Sequence, residues 1–327
     1  MLDSAIQKAY NVLEHGRPVD RDLARELAEL PGEDILDLLS LANKVTNRYT
    51  DRIHSCSIVN AKSGLCRENC RFCAQSTHHH ANVEVYALLS PERILAEAEK
   101  TVKNGVNYFG IVTSGFGYPV LNKEFRSILD TIDLLNDKLP EMNVCLSLGI
   151  LSQETVKELA ERKVCHYNIN LQVTPGRFAD LIARTHDIQE KLKTIQMLKS
   201  SGIGVCCGGI LGVGETMSDR VELAFTLQDL DVDVIPLNVL VPIPGTPLEN
   251  QPPLPVADIA KTFAIFRLVN PGKIIKFAAG RETLMKDFQG LLMLSGANGF
   301  LTGGYLTTRG REVHEDKRFI DRLEAFR

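Results

Sequence analysis

Three cysteines with a regular spacing form the most chemically informative stretch of this sequence. Cys66, Cys70 and Cys73 follow a C-x3-C-x2-C pattern within residues 57–76. Three thiolates are one fewer than the four that complete an iron–sulfur cluster or a structural zinc site. A four-iron cluster bound by three cysteines keeps one iron free for a small molecule, and Phe72 could shield one face of it. The spacing therefore predicts a catalytic iron–sulfur site.

The residues around these cysteines leave two other interpretations open. Lys62, Arg67 and Arg71 surround the motif, and positive charge near a thiol favours the thiolate that binds metal. A zinc ion would need a fourth ligand, and the histidines at residues 78–80 are close enough in sequence to offer one. The second interpretation is that the cysteine spacing is a coincidence on a surface loop, whose histidines are solvated.

The composition describes an ordinary globular chain and argues against several classes of protein. The 327 residues are 44% hydrophobic and 24% charged, with a net charge of −4, as in typical soluble domains. This net charge gives no reason to expect nucleic acid or an anionic membrane as a partner. No apolar run approaches the ~18 residues of a membrane span, and the polar N-terminus does not resemble a signal peptide. We therefore expect a cytoplasmic protein whose cysteines are reduced thiols.

Apolar segments of strand length alternate with amphipathic helical segments from residue 52 onward. This alternation predicts an α/β fold, a (β/α)8 TIM-type barrel with an N-terminal helical cap. In such barrels the catalytic groups lie at the carboxyl ends of the strands, and the Cys66 motif follows the first strand. The expected strands are residues 55–60, 108–113, 143–148, 166–171, 204–211, 234–240, 274–278 and 299–302.

The helical segments suggest how the chain is divided. Helical periodicity in residues 1–50 predicts the N-terminal cap, which is too short to bury much of a core of its own. We expect the barrel to occupy residues 51–312 and a C-terminal helical tail to occupy residues 313–327. Side chains that can accept a hydrogen bond from the first helical turn mark the helix starts. The expected N-cap residues are Ser90, Ser152, Asp187 and Ser218.

A second group of cysteines falls on the predicted strands. Cys56 lies on the first strand, Cys145 on the third, and Cys206 with Cys207 on the fifth. Neighbouring side chains point to opposite faces of a strand, so only one member of the last pair can point into the barrel. Buried cysteines commonly act as small hydrophobic residues, and we interpret Cys165 as such a structural thiol. Cysteines from several strands of one barrel could instead converge on an interior metal site.

The string CSIVNAKSGLCRENCRFCAQS resembles the signature of radical S-adenosylmethionine (SAM) enzymes, and more closely that of the biotin synthase family. The resemblance extends over about residues 50–312, through the stretches NVCLSLGIL, NINLQVTP, GVCCGGILGVGET, PLNVLVPIPGTPL and FAAGRE. It implies a catalytic [4Fe–4S] cluster at Cys66, Cys70 and Cys73, with SAM as a second cofactor. The implied reaction is the radical insertion of sulfur into dethiobiotin to give biotin.

The resemblance also implies an auxiliary iron–sulfur cluster inside the barrel, of the [2Fe–2S] type or larger. Cys145, Cys206 and Arg281 match the family's motifs for its ligands and would take part in catalysis through that cluster. The second strand, in NYFGIVTSG, has no cysteine where the family usually has one. This absence resembles the variant biotin synthases that are common in anaerobes. Cys56, on the neighbouring first strand, could supply the missing thiolate.

Two asparagines match the family's contacts to dethiobiotin. Asn170 and Asn238 carry amides that donate and accept at once, which suits a ureido ring. Gln172 stands where the family usually has Asp or Glu against the ribose of SAM, and a neutral amide makes weaker hydrogen bonds with a diol than a carboxylate does. Residues 305–308 match a stretch that covers the substrate mouth. The residues implied to bind SAM are Thr113, Ser114, Gly115, Gln172, His186, Gly212 and Gly214.

Two other functions remain open. Radical SAM sulfur insertion into another substrate, such as the octanoyl chain of lipoyl synthases, fits the change at Gln172. Asn170 and Asn238 argue against it, because an alkyl chain has no ureido group to hold. The other function is that of a non-catalytic iron–sulfur scaffold or electron carrier. For an enzyme, the resemblance implies a homodimer and an electron donor such as flavodoxin or ferredoxin.

Overall fold

A computed structural model describes residues 2–303 and 313–326 of the chain. The predicted cover of the substrate mouth, at residues 305–308, lies outside these ranges. The strands are β1 (His54–Lys62), β2 (Tyr108–Thr113), β3 (Gly117–Tyr118), β4 (Asn143–Ser147), β5 (Ile150–Leu151), β6 (Val164–Asn168), β7 (Gly204–Cys206), β8 (Gly209–Leu211), β9 (Val234–Val239), β10 (Ile274–Phe277) and β11 (Gly299–Leu301).

Parallel pairing closes these strands into a barrel. The order around it is β1, β2, β4, β6, β7, β9, β10 and β11, and β11 pairs with β1 again. Strand β8 continues the position of β7 and also pairs with β9, whereas β3 and β5 form a separate small ladder. Helices connect the successive barrel strands, as parallel pairing requires. The predicted (β/α)8 architecture is confirmed.

The fifth barrel strand was predicted to be continuous over residues 204–211, and the structure shows it interrupted. It is divided between β7 and β8, with Gly208 in the gap. A Cβ atom on Gly208 would lie 1.9 Å from the carbonyl oxygen of Pro236. Only glycine allows two backbones to approach so closely, and this approach interrupts the regular ladder.

Twelve α-helices and four shorter helical turns lie in the part of the chain that the structure describes. The α-helices are α1 (Ser4–Glu14), α2 (Arg21–Ala28), α3 (Ile35–Tyr49), α4 (Pro91–Lys103), α5 (Lys123–Lys138), α6 (Gln153–Ala160), α7 (Phe178–Leu181), α8 (Ile188–Ser200), α9 (Met217–Asp229), α10 (Val256–Val269), α11 (Gln289–Met293) and α12 (Val313–Leu323). The 3-10 or π turns span Pro175–Arg177, Arg281–Met285, Lys286–Phe288 and Glu324–Phe326. None of the described helices is long and apolar enough to cross a membrane.

Three of the four predicted N-caps are confirmed. Ser90, Ser152 and Asp187 each accept a hydrogen bond from the first turn of their helix. The prediction for Ser218 is wrong, because α9 begins one residue before it. Thr216 caps that helix in a reciprocal capping box with Asp219, which satisfies two backbone N–H groups instead of one.

The N-terminal helices pack against the outside of the barrel. Helix α2 contacts α9 and α10, and α3 packs along α10. The buried ammonium of Lys261 on α10 donates to the carbonyls of Ala28 and Leu30 at 3.1 and 2.9 Å. These carbonyls lie at the end of α2, where helices leave acceptors unpaired. Lys261 therefore fixes the end of α2 to the barrel's outer layer.

Candidate active site

The loop after β1 carries Cys66, Cys70 and Cys73, which we call the loop thiols. The backbone N–H of Cys66 donates to the carbonyl of Gln75 at 3.0 Å, and that of Thr77 donates to the carbonyl of Cys66 at 2.7 Å. A tighter turn joins the N–H of Cys73 to the carbonyl of Cys70 at 3.0 Å. These bonds fold the segment back on itself, and the thiols are close enough to influence one another's ionisation.

A second segment of the chain holds this loop from behind. The Asn69 side-chain oxygen accepts from the Arg184 N–H at 2.9 Å, and the hydroxyl of Thr185 donates to Glu68 at 2.5 Å. The same Glu68 carboxylate contacts Nδ1 of His186 at 2.8 Å. Burial, together with the charge of a nearby lysine, lowers the pKa of His186. His186 therefore orients the cysteine loop and lies outside the cavity described below.

Two of the loop thiols, Cys70 and Cys73, are buried enough to favour their neutral form. Burial, with the charges of the neighbouring thiols, raises the pKa of Cys70 to about 12, and burial also raises the pKa of Cys73. The prediction that surrounding cations favour the thiolate is wrong for both residues. Lys62 pairs with Glu124 at 2.7 Å, and Arg71 donates to a backbone carbonyl at 3.2 Å. Bound iron would supply the positive charge that ionises these thiols, so the donor set fits a metal cluster.

A single cavity of about 320 Å³ begins at this loop and runs into the barrel. Side chains that point inward from the strands form its walls, because alternation sends their neighbours to the outer core. On β4, for example, Val144 is fully buried away from the cavity while Cys145 lines it. The polar or sulfur-bearing lining includes Cys73, Gln75, Gln172, Asn170, Asn168, Asn238, Ser147, His166, Cys56, Cys145, Cys206 and Lys276.

Cys56, Cys145 and Cys206, which we call the strand thiols, share this cavity with Lys276. The Lys276 ammonium donates to the Cys56 sulfur at 3.2 Å. Burial lowers the pKa of Lys276, but the three strand thiols outweigh burial and raise it above its usual value. Burial raises the pKa of Cys206 to about 11, against the opposing effect of Lys276. The structure therefore brings together the three strand cysteines that were expected to meet.

Lys276 is a functional candidate that the sequence reasoning missed. It lies on β10 between Ile275 and Phe277, whose side chains are fully buried on the outer face. A lysine in the middle of an apolar barrel strand must point to the interior. A buried ammonium is costly unless it is paired. A lysine within an apolar strand was therefore the sequence signal for a functional group inside the barrel.

Arg281, the predicted arginine ligand, lies elsewhere. Its guanidinium binds both carboxylate oxygens of Asp316 at 2.7 and 2.8 Å, and its carbon stacks 5.0 Å from the ring centre of Phe300. Both members of the ion pair are almost fully buried, and Arg281 does not line the cavity. The structure therefore uses Arg281 to join the turn after β10 to α12.

Two further cysteines behave differently from each other. Cys207 is completely buried in the outer core, which confirms that only Cys206 of the pair points into the barrel. Cys165 is half-buried, and its sulfur lies 3.1 Å from Nδ1 of His166. Cys165 and Cys145 also share a hydrogen bond, which lowers the pKa of Cys165 to about 5 and raises that of Cys145. The interpretation of Cys165 as a purely structural thiol is therefore too simple.

Both predicted substrate residues lie in the middle of the cavity. The Asn170 side-chain oxygen accepts from the N–H of Gly208 at 2.9 Å. The Asn238 amide donates to the carbonyl of Gly209 and accepts from the N–H of Ala279, both at 3.1 Å. Each amide is thus fixed by the barrel backbone. An amide group has two donors and two acceptor lone pairs, so each retains capacity for a ligand.

Gln172 and Lys191 flank Asn170 near the loop. Gln172 lines the cavity and has a positive φ of 74°, which is uncommon for a residue with a side chain. Lys191 on α8 donates to the carbonyl of Asn170 at 2.8 Å, and burial lowers its pKa. The sequence reasoning missed Lys191, although it lies at helical spacing with the buried residues Ile188 and Ile195.

The other predicted SAM residues do not line the cavity. The Ser114 hydroxyl donates to the carbonyl of Gly64 at 2.7 Å, which ties the end of β2 to the start of the loop. The N–H groups of Gly212 and Val213 each donate to the Glu215 carboxylate at 2.8 Å. The predicted residues outside the cavity are Thr113, Ser114, Gly115, His186, Gly212 and Gly214.

Ligands for a single metal ion are arranged more tightly than these thiols. In residues 2–303 and 313–326, no three His, Cys, Asp or Glu side chains converge closely enough to hold one ion. The thiolates of an iron–sulfur cluster bind several iron atoms, so they stand around a larger object. The loop thiols and the strand thiols therefore fit clusters better than the single zinc ion considered from the sequence.

Comparison with known proteins first defines the class. The model of the Radical SAM superfamily matches residues 62–227, and that of the Biotin and Thiamin Synthesis associated domain matches residues 236–325. The solved structure of methylornithine synthase has a TM-score of 0.80 at 18% identity, covering 98% of this chain and 96% of that one. The hydrogenase maturase HydG has a TM-score of 0.82 at 18% identity, with 98% and 73% coverage. These structures share the fold.

Curated relatives narrow the class further. The biotin synthases of Pelodictyon phaeoclathratiforme and Chlorobium luteolum are each 60% identical, covering 99% of this chain and 98% of theirs. The biotin synthase of Chlorobaculum tepidum is 57% identical with the same coverage. The chain belongs to the biotin synthase family of the radical SAM superfamily.

Proposed function

We propose that this chain inserts sulfur into dethiobiotin to form biotin, with SAM and two iron–sulfur clusters as cofactors. One observation carries the proposal: a single cavity runs from Cys73 of the loop to the three strand thiols, and amide side chains line it as well. A small substrate in the middle would face a different reactive group at each end. Family membership at 57–60% identity over nearly the whole chain supports the same reaction.

At the loop end, Cys66, Cys70 and Cys73 would hold the [4Fe–4S] cluster. Lys191 is suited to bind the carboxylate of SAM, because its ammonium has more donors than the one occupied by the carbonyl of Asn170. Ser114 would position the loop, and Gln172, at the cavity wall, remains suited to the ribose. Thr113, Gly115, Gly212 and Gly214 would act through the backbone turns that surround the loop.

At the opposite end, Cys56, Cys145 and Cys206 would hold the auxiliary cluster. We assign the neighbouring cation to Lys276 in place of Arg281, because Lys276 contacts Cys56 whereas Arg281 is committed to Asp316. The Cys56 assignment is tested by the variant Cys56→Ser. Its iron and sulfide content should fall, and unaltered content would contradict the assignment.

When bound, the clusters and SAM supply an electron, a 5′-deoxyadenosyl radical and sulfide. The chain's own side chains do the positioning. Asn170 and Asn238 would bind the ureido ring, since the backbone already fixes their orientation. Ile58, Val112 and Leu301 contribute apolar walls, which would exclude water from the reacting carbon atoms. Holding the reacting groups in line removes much of the entropic cost of the reaction.

Several further properties complete the proposal. The division into a helical cap at residues 1–50, a barrel at 51–312 and a tail at 313–327 follows the strand pattern. A homodimer, a flavodoxin or ferredoxin as electron donor, and a cytoplasmic location are expected of a member of this family.

Anaerobic turnover tests the proposed function. The iron–sulfur-reconstituted protein would be incubated with SAM, a reductant and dethiobiotin, and the products measured by mass spectrometry. We expect biotin together with 5′-deoxyadenosine. If 5′-deoxyadenosine forms without biotin, the substrate assignment is wrong, and octanoylated protein becomes the substrate to test. If neither forms with intact clusters, the proposed catalytic function is contradicted.

A further inference from the structure

Cys165 stands beside the strand thiols because of an irregularity in the barrel. Strand β6 pairs with β4 so that Val164 faces Val144 and His166 faces Cys145, with one extra residue on β6. That residue is Cys165. A β-bulge leaves its extra residue outside the regular ladder and often redirects a side chain near an active site. Regular alternation would send Cys165 to the face opposite His166, away from the cavity.

The surroundings of Cys165 are those of a reactive site. Its sulfur contacts Nδ1 of His166 at 3.1 Å, and the bulge places it next to Cys145 on the paired strand. His166 and Cys145 both line the cavity. Cys207 provides the contrast, since it is fully buried among apolar side chains of the core. A cysteine that only fills space resembles Cys207 and not Cys165.

We propose that Cys165 is a fourth thiolate ligand of the auxiliary cluster, on the same side as Cys145. This inference rests on the proposed function and extends its ligand set. With Cys56, Cys145 and Cys206 it makes four thiolates, the number that closes an iron–sulfur cluster.

The positions of Cys145 and Cys165 on paired strands suit a shared iron. Two thiolates on one tetrahedral metal lie about 3.8 Å apart, given metal–sulfur bonds of about 2.3 Å. Neighbouring strands lie about 4.8 Å apart, so adjacent side chains on β4 and β6 can reach that separation. His166 would then hydrogen-bond a ligand sulfur, as residues behind a metal site commonly do.

The first test measures the auxiliary cluster alone. In the full chain with Cys66, Cys70 and Cys73 changed to Ala, iron and acid-labile sulfide would be measured after anaerobic reconstitution. Adding Cys165→Ser should at least halve both contents or alter the Mössbauer spectrum. Adding Cys207→Ser, the matched control, should leave them unchanged. Equal contents and spectra in the two variants would overturn the proposal.

A second test uses the unaltered protein, so that a folding defect cannot mimic the result. Iodoacetamide would label the half-exposed Cys165 in metal-free protein and in reconstituted protein, followed by peptide mass spectrometry. We expect at least tenfold protection in the reconstituted protein. Equal labelling would overturn the proposal. Biotin formation is measured separately. If the reconstituted protein forms no biotin but Cys165 is protected, the proposed function is contradicted and the assignment of Cys165 as a cluster ligand is not.

Discussion

The loop thiols and the strand thiols are assembled by different structural routes, although Cys73 and all three strand thiols line one cavity. Cys66, Cys70 and Cys73 come from a single folded loop, held by hydrogen bonds among its own residues and from behind by His186. The strand thiols come from β1, β4 and β7, and the barrel's register brings them together. The first site depends on local sequence, whereas the second depends on long-range pairing.

The two sites also differ in how charge is balanced. Cys70 and Cys73 of the loop are held neutral by burial, which raises the pKa of Cys70 to about 12 and also raises that of Cys73. The strand thiols have a built-in cation, because the Lys276 ammonium contacts the Cys56 sulfur at 3.2 Å. Burial nevertheless raises the pKa of Cys206 to about 11. We infer that thiols of both sites become charged when iron binds, and that the strand site adds a cation in direct contact with a sulfur.

The largest expected effect separates the sites by activity. Cys70→Ser should reduce SAM cleavage by about 10³-fold or more, because it removes one of only three ligands of the catalytic cluster. The measurement is 5′-deoxyadenosine by mass spectrometry, with Cys207→Ser as the control. Cleavage of SAM at the wild-type rate by the Cys70→Ser variant would contradict the assignment of the loop thiols as ligands of the catalytic cluster.

A cysteine-to-serine change at the strand thiols should reduce biotin formation and leave SAM cleavage largely intact. Cys206→Ser should reduce biotin formation by about 10³-fold yet leave SAM cleavage within about twofold of wild type, since the loop is intact. Both products are measured in one reaction. Equal loss of the two products would show that the sites are not separable.

A smaller effect is expected at the two buried cations. Lys276→Met should lower auxiliary iron binding or biotin formation by about 10- to 100-fold, as for other residues that support a metal site. Arg281→Met should instead cost about 3–5 kcal/mol of unfolding free energy, because it leaves Asp316 buried without its partner.

Iron content per folded chain and urea unfolding distinguish these two results. Arg281→Met should retain its auxiliary iron in the folded fraction. Loss of that iron with normal stability would return Arg281 to the ligand set and contradict the assignment of Lys276.

The smallest expected effect concerns pH at the start of β1. Burial, aided by Arg52 and Lys276, lowers the pKa of His54 to about 4. In the unfolded chain this histidine binds a proton below a pKa near 6.5, whereas in the folded chain it stays neutral until about pH 4. The free energy of unfolding therefore falls as the pH is lowered from 6.5 to 4. His54→Gln should therefore flatten the decline of unfolding free energy between pH 6.5 and 4. A decline as steep as that of wild type would exclude His54 as its cause.

Much of the fold and half of the site could be predicted from the sequence. Strand positions followed from apolar runs, and β2 has the predicted bounds. The loop thiols followed from spacing alone. The bulge at Cys165, the inward position of Lys276 and the pairing of Arg281 with Asp316 could not be obtained in this way, because each depends on register or on contacts between distant segments. Thiol ionisation was misjudged because burial outweighs the charges that are near in sequence.

The alignment of substrate between the two sites is the central claim, and isotope transfer tests it most directly. Dethiobiotin deuterated at its methyl and methylene carbons would be turned over anaerobically with SAM and a reductant. The account predicts deuterium in 5′-deoxyadenosine together with biotin, because the radical and the sulfur must meet the same carbon atoms within one cavity. Undeuterated 5′-deoxyadenosine, formed at the full rate with the substrate bound, would contradict it.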